Sequence, residues 1–146
     1  MPTRTARTAW NGTLQEGSGQ VELTSSKVGT YEVSFPKRAA DEAGGTTSPE
    51  ELVAAAHSSC FAMALSNEIA QAGGTPQSLD VTADVSLGPD PAGGFHLTGI
   101  TLTVRGEVDG LDADGFQKAA DAAKVGCPIS KALKAVDIKL DAALES

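Results

Sequence analysis

The sequence predicts an α+β protein folded as one domain over residues 1–146, and two patterns carry that expectation. Apolar residues alternate at period two in four short stretches, as half-buried strands require, whereas one long stretch between Pro49 and Ala72 shows no alternation at all. A chain of 146 residues fits one hydrophobic core and is short for two.

A first strand is expected near Ala9–Gln15. Residues 19–36 read as a hairpin, "GQVELTSS" and "TYEVSFP" around "KVG", with Tyr31, Val33 and Phe35 on one face of its second strand. The helix follows: Ser48 stands as N-cap, Pro49 takes the first helical position, Glu51 completes a capping box, and Gly73 and Gly74 close the far end. From Leu52 to Leu65 its only strongly polar side chains are His57, Ser58 and Ser59, so it is apolar nearly all round. Such a helix needs cover on every side. With Phe, Tyr and Trp at only 4% of the chain, a second copy is the economical source of it, and a homodimer is expected.

Beyond the helix, "SLDVTADVSLG" places Leu79, Val81, Ala83, Val85 and Leu87 on one face, and "PDPAGG" turns the chain back. In the return strand Phe95 and Leu97 hold odd positions while Ile100, Leu102, Val104 and Val108 hold even ones, a slip that predicts a β-bulge near Gly99. Asp112 caps a helix reaching Lys124 with Phe116, Ala119, Ala120 and Ala123 inward, and Cys127–Lys134 forms a short helix. A last strand alternates Val136, Ile138, Leu140 and Ala142. The order βββ-α-ββ-αα-β describes antiparallel sheet with packed helices.

Charge narrows the partners. Nineteen acidic against eleven basic residues give a net charge of −8, and no stripe of Lys or Arg could track phosphates, so nucleic acid is not expected as a partner. No segment approaches the roughly 20 apolar residues of a membrane span, and no apolar run follows the arginines of "MPTRTARTAW". The expectation is a soluble, unexported, cytoplasmic protein. Two cysteines are too few for a disulfide scaffold; in a reducing compartment such a pair is catalytic, metal-binding or merely buried.

Those alternatives stay open for Cys60, which sits mid-helix where a cysteine commonly serves as a small buried hydrophobe. Cys127 directly precedes Pro128 at an N-cap, a position where backbone N–H groups favour a thiolate but where Ser, Asp or Asn would cap better. Arg38, in the loop after "VSFP", and Glu50, in the first helical turn, flank the approach. An arginine lowers a nearby thiol's pKa and a carboxylate can lock its guanidinium, though the same two residues also read as a surface ion pair. His57, three residues before Cys60, raises a hydrolase dyad or half a zinc site. Zinc would find only Cys127 and His96 as further ligands, a hydrolase would leave Cys127 unused, and a hydrogen-bonded structural histidine is the preferred reading.

"TSPEELVAAAHSSCFAMAL" followed by "GCPISKALKA", with the "AWNGTLQEGSG" opening and "LDVTADVSL", resembles the osmotically inducible protein C (OsmC) family, relatives of the organic hydroperoxide resistance proteins, over essentially the whole chain. His57 in "AAAHSSC" favours the OsmC branch. The resemblance implies an intertwined α+β homodimer, its antiparallel sheets set around the long buried central helix and its two active sites at the subunit interface. It assigns Cys60 as the peroxidatic cysteine, Cys127 as the resolving one, Arg38 in "SFPKR" as the activating arginine and Glu50 as its partner, with Arg4, Arg7 and Arg105 as alternative arginines. The implied chemistry is a stress-defence thiol peroxidase: an organic hydroperoxide oxidises Cys60 to a sulfenic acid, a Cys60–Cys127 disulfide follows, and an external dithiol resets it. No metal or bound redox cofactor is required. Phe35, Phe61 and Met63 are candidates for an apolar peroxide pocket. The competing reading is a non-enzymatic dimeric stress or ligand-binding protein whose cysteines only pack.

Overall fold

The computed structural model describes residues 1–146 and divides into two compact units, Met1–Leu52 and Val53–Ser146. In the first unit, β1 (Arg7–Asn11), β2 (Ser18–Glu22) and β3 (Thr30–Val33) form an antiparallel meander. The expected hairpin is present, running from Gly19 opposite Val33 to Glu22 opposite Thr30. The first strand stops at Asn11 rather than Gln15, because Gly12 turns the chain at φ +94°.

Phe35 does not continue the third strand. Ser34 takes an extended N-cap conformation and its hydroxyl accepts the Lys37 N–H at 3.4 Å, so Phe35–Arg38 winds into a short helix, α1, with Pro36 in its first turn. Local capping overrides the alternation, and Arg38 closes a helical turn instead of lying in a loop. Val21 is the one apolar side chain of this unit that is buried.

α2 (Pro49–Gln71) starts in the first unit and continues through the second. Ser48 Oγ accepts the Glu51 N–H at 3.1 Å as expected, but the Glu51 carboxylate accepts from the Thr47 hydroxyl, leaving the capping box half made. At the other end Gly73, at φ +91°, lets its own N–H reach Ala70 O and the Gly74 N–H reach Ile69 O, the paired bonds of a Schellman stop. Within one chain the helix is covered along one stripe, His57, Phe61, Leu65 and Ile69, and not all round; Met63 on another face is 73% exposed.

The second unit is a three-stranded sheet, β4 (Thr75–Pro89), β5 (Phe95–Asp109) and β6 (Ile138–Leu144). β4 and β5 form a long antiparallel hairpin whose register shifts where Ser86 faces Gly99 but Leu87 faces Leu97, the bulge expected near Gly99. α3 (Ala113–Gly126), capped by Asp112 Oδ1 accepting the Gly115 N–H at 2.8 Å, and α4 (Pro128–Ala132) then return the chain across the sheet. That return makes β6 parallel to β5, from Ile100 opposite Ile138 to Gly106 opposite Leu144, so the sheet is mixed rather than wholly antiparallel. Val136 precedes the strand instead of opening it.

One core joins the α2 stripe to Leu102, Val104 and Val108 of β5 and to the inward face of α3, where Phe116, Ala119, Ala120 and Ala123 are buried as the sequence predicts. Gly106 permits the closest approach: a Cβ there would stand 2.7 Å from the Phe116 ring. No helix is long and apolar enough to cross a membrane.

Candidate active site

Cys60 precedes Phe61 of the buried stripe by one residue, which leaves it half-buried at the edge of the α2 contact. Cys127 is wholly buried between α3 and α4; its N–H ends α3 on Ala123 O at 2.9 Å while Pro128 begins α4. The two residues, 67 positions apart in sequence, meet as free thiols within hydrogen-bonding reach of each other.

Their surroundings differ. Burial pushes the Cys127 thiol up, but the Cys60 S–H, the N–H and hydroxyl of Ser130 and the N–H of Ile129 together outweigh it, and its pKa falls below the usual cysteine value. Cys127 makes no side-chain cap hydrogen bond of ordinary geometry, so these donors act on the charge of its sulfur more than on the helix end. Cys60 moves the opposite way: burial raises it, Cys127 raises it further, and only the Ile129 N–H opposes them. Of the two thiols, Cys127 is the more readily ionised.

His57, one turn before Cys60 on α2, is fully buried, and its Nε2 lies 2.7 Å from Ser130 Oγ. Its Nδ1 has no partner. The expected hydrogen-bonded histidine is therefore only half satisfied, and its ring partner is Ser130 rather than Cys60. Burial lowers its pKa and keeps the imidazole neutral. Ser130, itself buried, is the member of this cluster that sequence reasoning missed; its only signal is a hydroxyl three residues after Cys127 in "CPIS".

In the first unit Arg38 and Glu50 meet as a fork. Arg38 Nε donates to both carboxylate oxygens at 3.0 and 3.1 Å, and Nη2 donates to Oε1 at 2.7 Å. Glu50 is buried. Of the alternative arginines, Arg105 is engaged by Asp141 at 3.2 Å and Glu145 at 3.9 Å, and Arg4 donates to the neighbouring Thr3 carbonyl. Arg38 also lines a cavity of about 400 Å³ whose walls include Trp10, Leu14, Val21, Phe35 and Leu52. Of the proposed pocket residues, Phe35 lines that cavity, Phe61 is sealed in the second unit's core, and Met63 faces outward. His96 faces Asp90 across the β4–β5 turn at 3.9 Å, and no three His, Cys, Asp or Glu side chains converge as metal ligands would.

The sequence pattern described as OsmC-like protein matches residues 41–141. Peroxiredoxin OsmC of Escherichia coli is 44% identical over 94% of this chain and 93% of its own. Organic hydroperoxide resistance protein OhrA of Bacillus subtilis is 37% identical over 66% of this chain and 67% of its own. Among solved structures, an organic hydroperoxide resistance protein from Elizabethkingia anophelis superposes with a TM-score of 0.79 at 28% identity, covering 99% of this chain and 98% of that one.

The neutral state of His57 has a consequence for stability. The unfolded chain takes up this proton near pH 6.5 and the folded chain does not, so stability falls as pH drops below about 6.5, by at most about 1.4 kcal/mol per pH unit from this residue. Urea unfolding between pH 7.5 and pH 5 should show a shallower acid loss in His57→Gln than in the parent. Equal slopes would mean that His57 titrates alike in both states.

Proposed function

The chain belongs to the OsmC-like protein family, and we propose that it is a cysteine-dependent peroxidase that reduces organic hydroperoxides to alcohols in defence against oxidative and osmotic stress. The observation that carries this reading is the apposition of Cys60 and Cys127, two free thiols brought together from distant parts of the sequence. The names of the relatives, a peroxiredoxin and organic hydroperoxide resistance proteins, support the same chemistry.

Their difference in exposure supports a division of roles. Cys60 is only half-buried and in this reading meets the peroxide, while Cys127 is buried and reacts with whatever Cys60 becomes. The Cys60 thiolate attacks one peroxide oxygen; the O–O bond breaks, the alcohol leaves with a proton, and the sulfur retains the other oxygen as a sulfenic acid. Cys127 attacks that sulfur, the S–S bond forms and water departs. An external dithiol then reduces the disulfide.

The charge balance of the pair states what else is needed. Cys60 is the thiol whose pKa is raised, so its activation requires a positive charge beyond the pair. Arg38 supplies it in this reading, and Glu50 orients the guanidinium rather than acting on the sulfur, since a carboxylate beside a thiol would raise its pKa further. The apolar cavity beside Arg38 suits the alkyl portion of the substrate. Residues 1–146 function as one domain of an intertwined cytoplasmic homodimer, which accounts for the uncharged faces of α2 that a single chain leaves open.

The two cysteines should fail differently when replaced. Cys60→Ser should consume no peroxide, whereas Cys127→Ser should consume about one equivalent per chain and leave a sulfenic acid on Cys60 that dimedone traps. A dimedone adduct on Cys127 in the Cys60→Ser protein, with none on Cys60 in the other, would reverse the assignment.

Arg38→Met should raise the Cys60 pKa by roughly one to three units and slow its alkylation at neutral pH accordingly. Superimposable alkylation profiles for parent and variant would transfer the activating role to another cation.

A further inference from the structure

Two rungs connect α2 to the segment that opens α4: Cys60 to Cys127, and His57 Nε2 to Ser130 Oγ at 2.7 Å. On each side the two residues are three apart, so each pair shares one face of its own turn. The second rung is buried at both ends, and nothing in the peroxide chemistry described above uses it.

The direction of its hydrogen bonds follows from what is left unpaired. A neutral imidazole carries one N–H, and His57 Nδ1 is buried with no partner. A bare nitrogen lone pair tolerates that situation better than an orphaned N–H donor, which places the proton on Nε2. Nε2 then donates to Ser130 Oγ, and the single hydroxyl proton of Ser130 is free to turn toward Cys127, the N-cap three residues earlier in the same turn. The opposite tautomer fails at both ends: it buries an unpaired N–H, and it commits the serine proton to His57 so that oxygen lone pairs face a sulfur that carries charge.

We propose that His57 and Ser130 form a fixed donor chain, Nε2–H to Oγ and O–H to Sγ, that positions Cys127 as the attacking thiolate when the disulfide closes and as the leaving thiolate when a dithiol reopens it. The inference rests on the peroxidase reading. On closure the Cys127 thiolate attacks the Cys60 sulfenic sulfur, the S–S bond forms, the S–O bond breaks, and the oxygen departs as water, taking up from solvent the equivalent of the proton that Cys127 released on ionising. On reopening an external thiolate attacks Cys60, the more accessible sulfur, a mixed disulfide forms, and Cys127 departs as an anion into the same donors. His57 keeps its proton in both directions. It is a positioning residue, and its lack of charge is an advantage because a neutral donor holds its orientation across the working pH range.

The groups able to disturb this titration are few. Cys60 is the titratable group in contact with Cys127, and on the open side of Ser130 a cavity of about 370 Å³ is lined by Lys124 of α3, Lys131 of α4, Lys134 and Asp137. All four charged residues are retained in the variants below.

The decisive titration is run in the Cys60→Ser protein, where thiolate absorbance in the ultraviolet reports Cys127 alone. Ser130→Ala and His57→Leu should each raise the midpoint by about one to two pH units, the size of one hydrogen bond to a charged acceptor. Ser130→Thr and His57→Gln, which keep a donor at the same place, should stay close to the parent. In the two-cysteine protein given one equivalent of cumene hydroperoxide, Ser130→Ala should close the disulfide about ten- to a hundredfold more slowly at neutral pH and recover when the pH is raised above the shifted midpoint. A purely structural contribution gives no such recovery. Ser130→Ala removes a single oxygen and carries the test if the His57 change unfolds the chain. Unchanged midpoints in Ser130→Ala, or a Ser130→Thr protein as impaired as Ser130→Ala, would overturn the donor chain. A parent protein that forms no disulfide at all would instead overturn the peroxidase reading, while the titration still judges the donors.

Discussion

The position of both sulfurs depends on one strip of α2, where Phe61, Leu65 and Ile69 repeat at four-residue spacing against β5 and α3. Each of these side chains contributes about 1.5–3 kcal/mol when taken fully out of water, before the entropy of ordering the chain is counted. Their combined preference sets the rotation of the helix about its own axis. Turning it by one residue would carry Cys60 onto the outer face and draw Ser59 or Phe61 toward Cys127. The apolar contact therefore acts as the alignment device for a polar pair. The bulk comes from Phe116 on α3, and its ring fits only because Gly106 on β5 offers no side chain beneath it.

Once aligned, the sulfurs cannot both hold a charge cheaply. Two thiols in contact favour one shared anion, and the donors at the opening of α4 draw that anion to Cys127. Cys60 is left as the harder of the two to ionise. On the proposed assignment this asymmetry suits the second half of the cycle, with Cys127 attacking and later departing as a thiolate, and works against the first half, with Cys60 as the nucleophile. A cation supplied from outside the pair reconciles the two. Within its own unit the Arg38 and Glu50 fork is rigid, because three hydrogen bonds leave the guanidinium little freedom.

What the sequence disclosed follows from what side-chain patterns encode. The inward face of α3 was legible because Phe116, Ala119, Ala120 and Ala123 recur at helical spacing behind an aspartate cap. The bulge beside Gly99 was legible because a bulge moves apolar residues from odd to even positions within one strand. Alternation carries no information about strand direction, and so the parallel pairing of β6 was not predicted. Phe35 misled in another way: its position continues the alternation of Tyr31 and Val33, but the Ser34 cap and Pro36 outweigh a single apolar residue. At the site, the pairs Cys60 with Cys127 and Arg38 with Glu50 were anticipated as chemistry and are realised as contacts, each inside its own unit. Ser130 was invisible because a serine near a helix start is ordinary. Only the fold, by setting a buried imidazole against it, distinguishes this hydroxyl from others.

The central claim is that Cys60 and Cys127 interconvert between a dithiol and a disulfide within one chain at the expense of an organic hydroperoxide. The direct measurement is non-reducing peptide mapping of the fully reduced protein after one equivalent of cumene hydroperoxide, with free thiols counted before and after. The account predicts loss of both thiols and a single cross-linked peptide joining the segment around Cys60 to the segment around Cys127 of the same chain, reversed by a dithiol. Retention of both thiols, or cross-links that join Cys60 only to Cys60 of another chain, would contradict it.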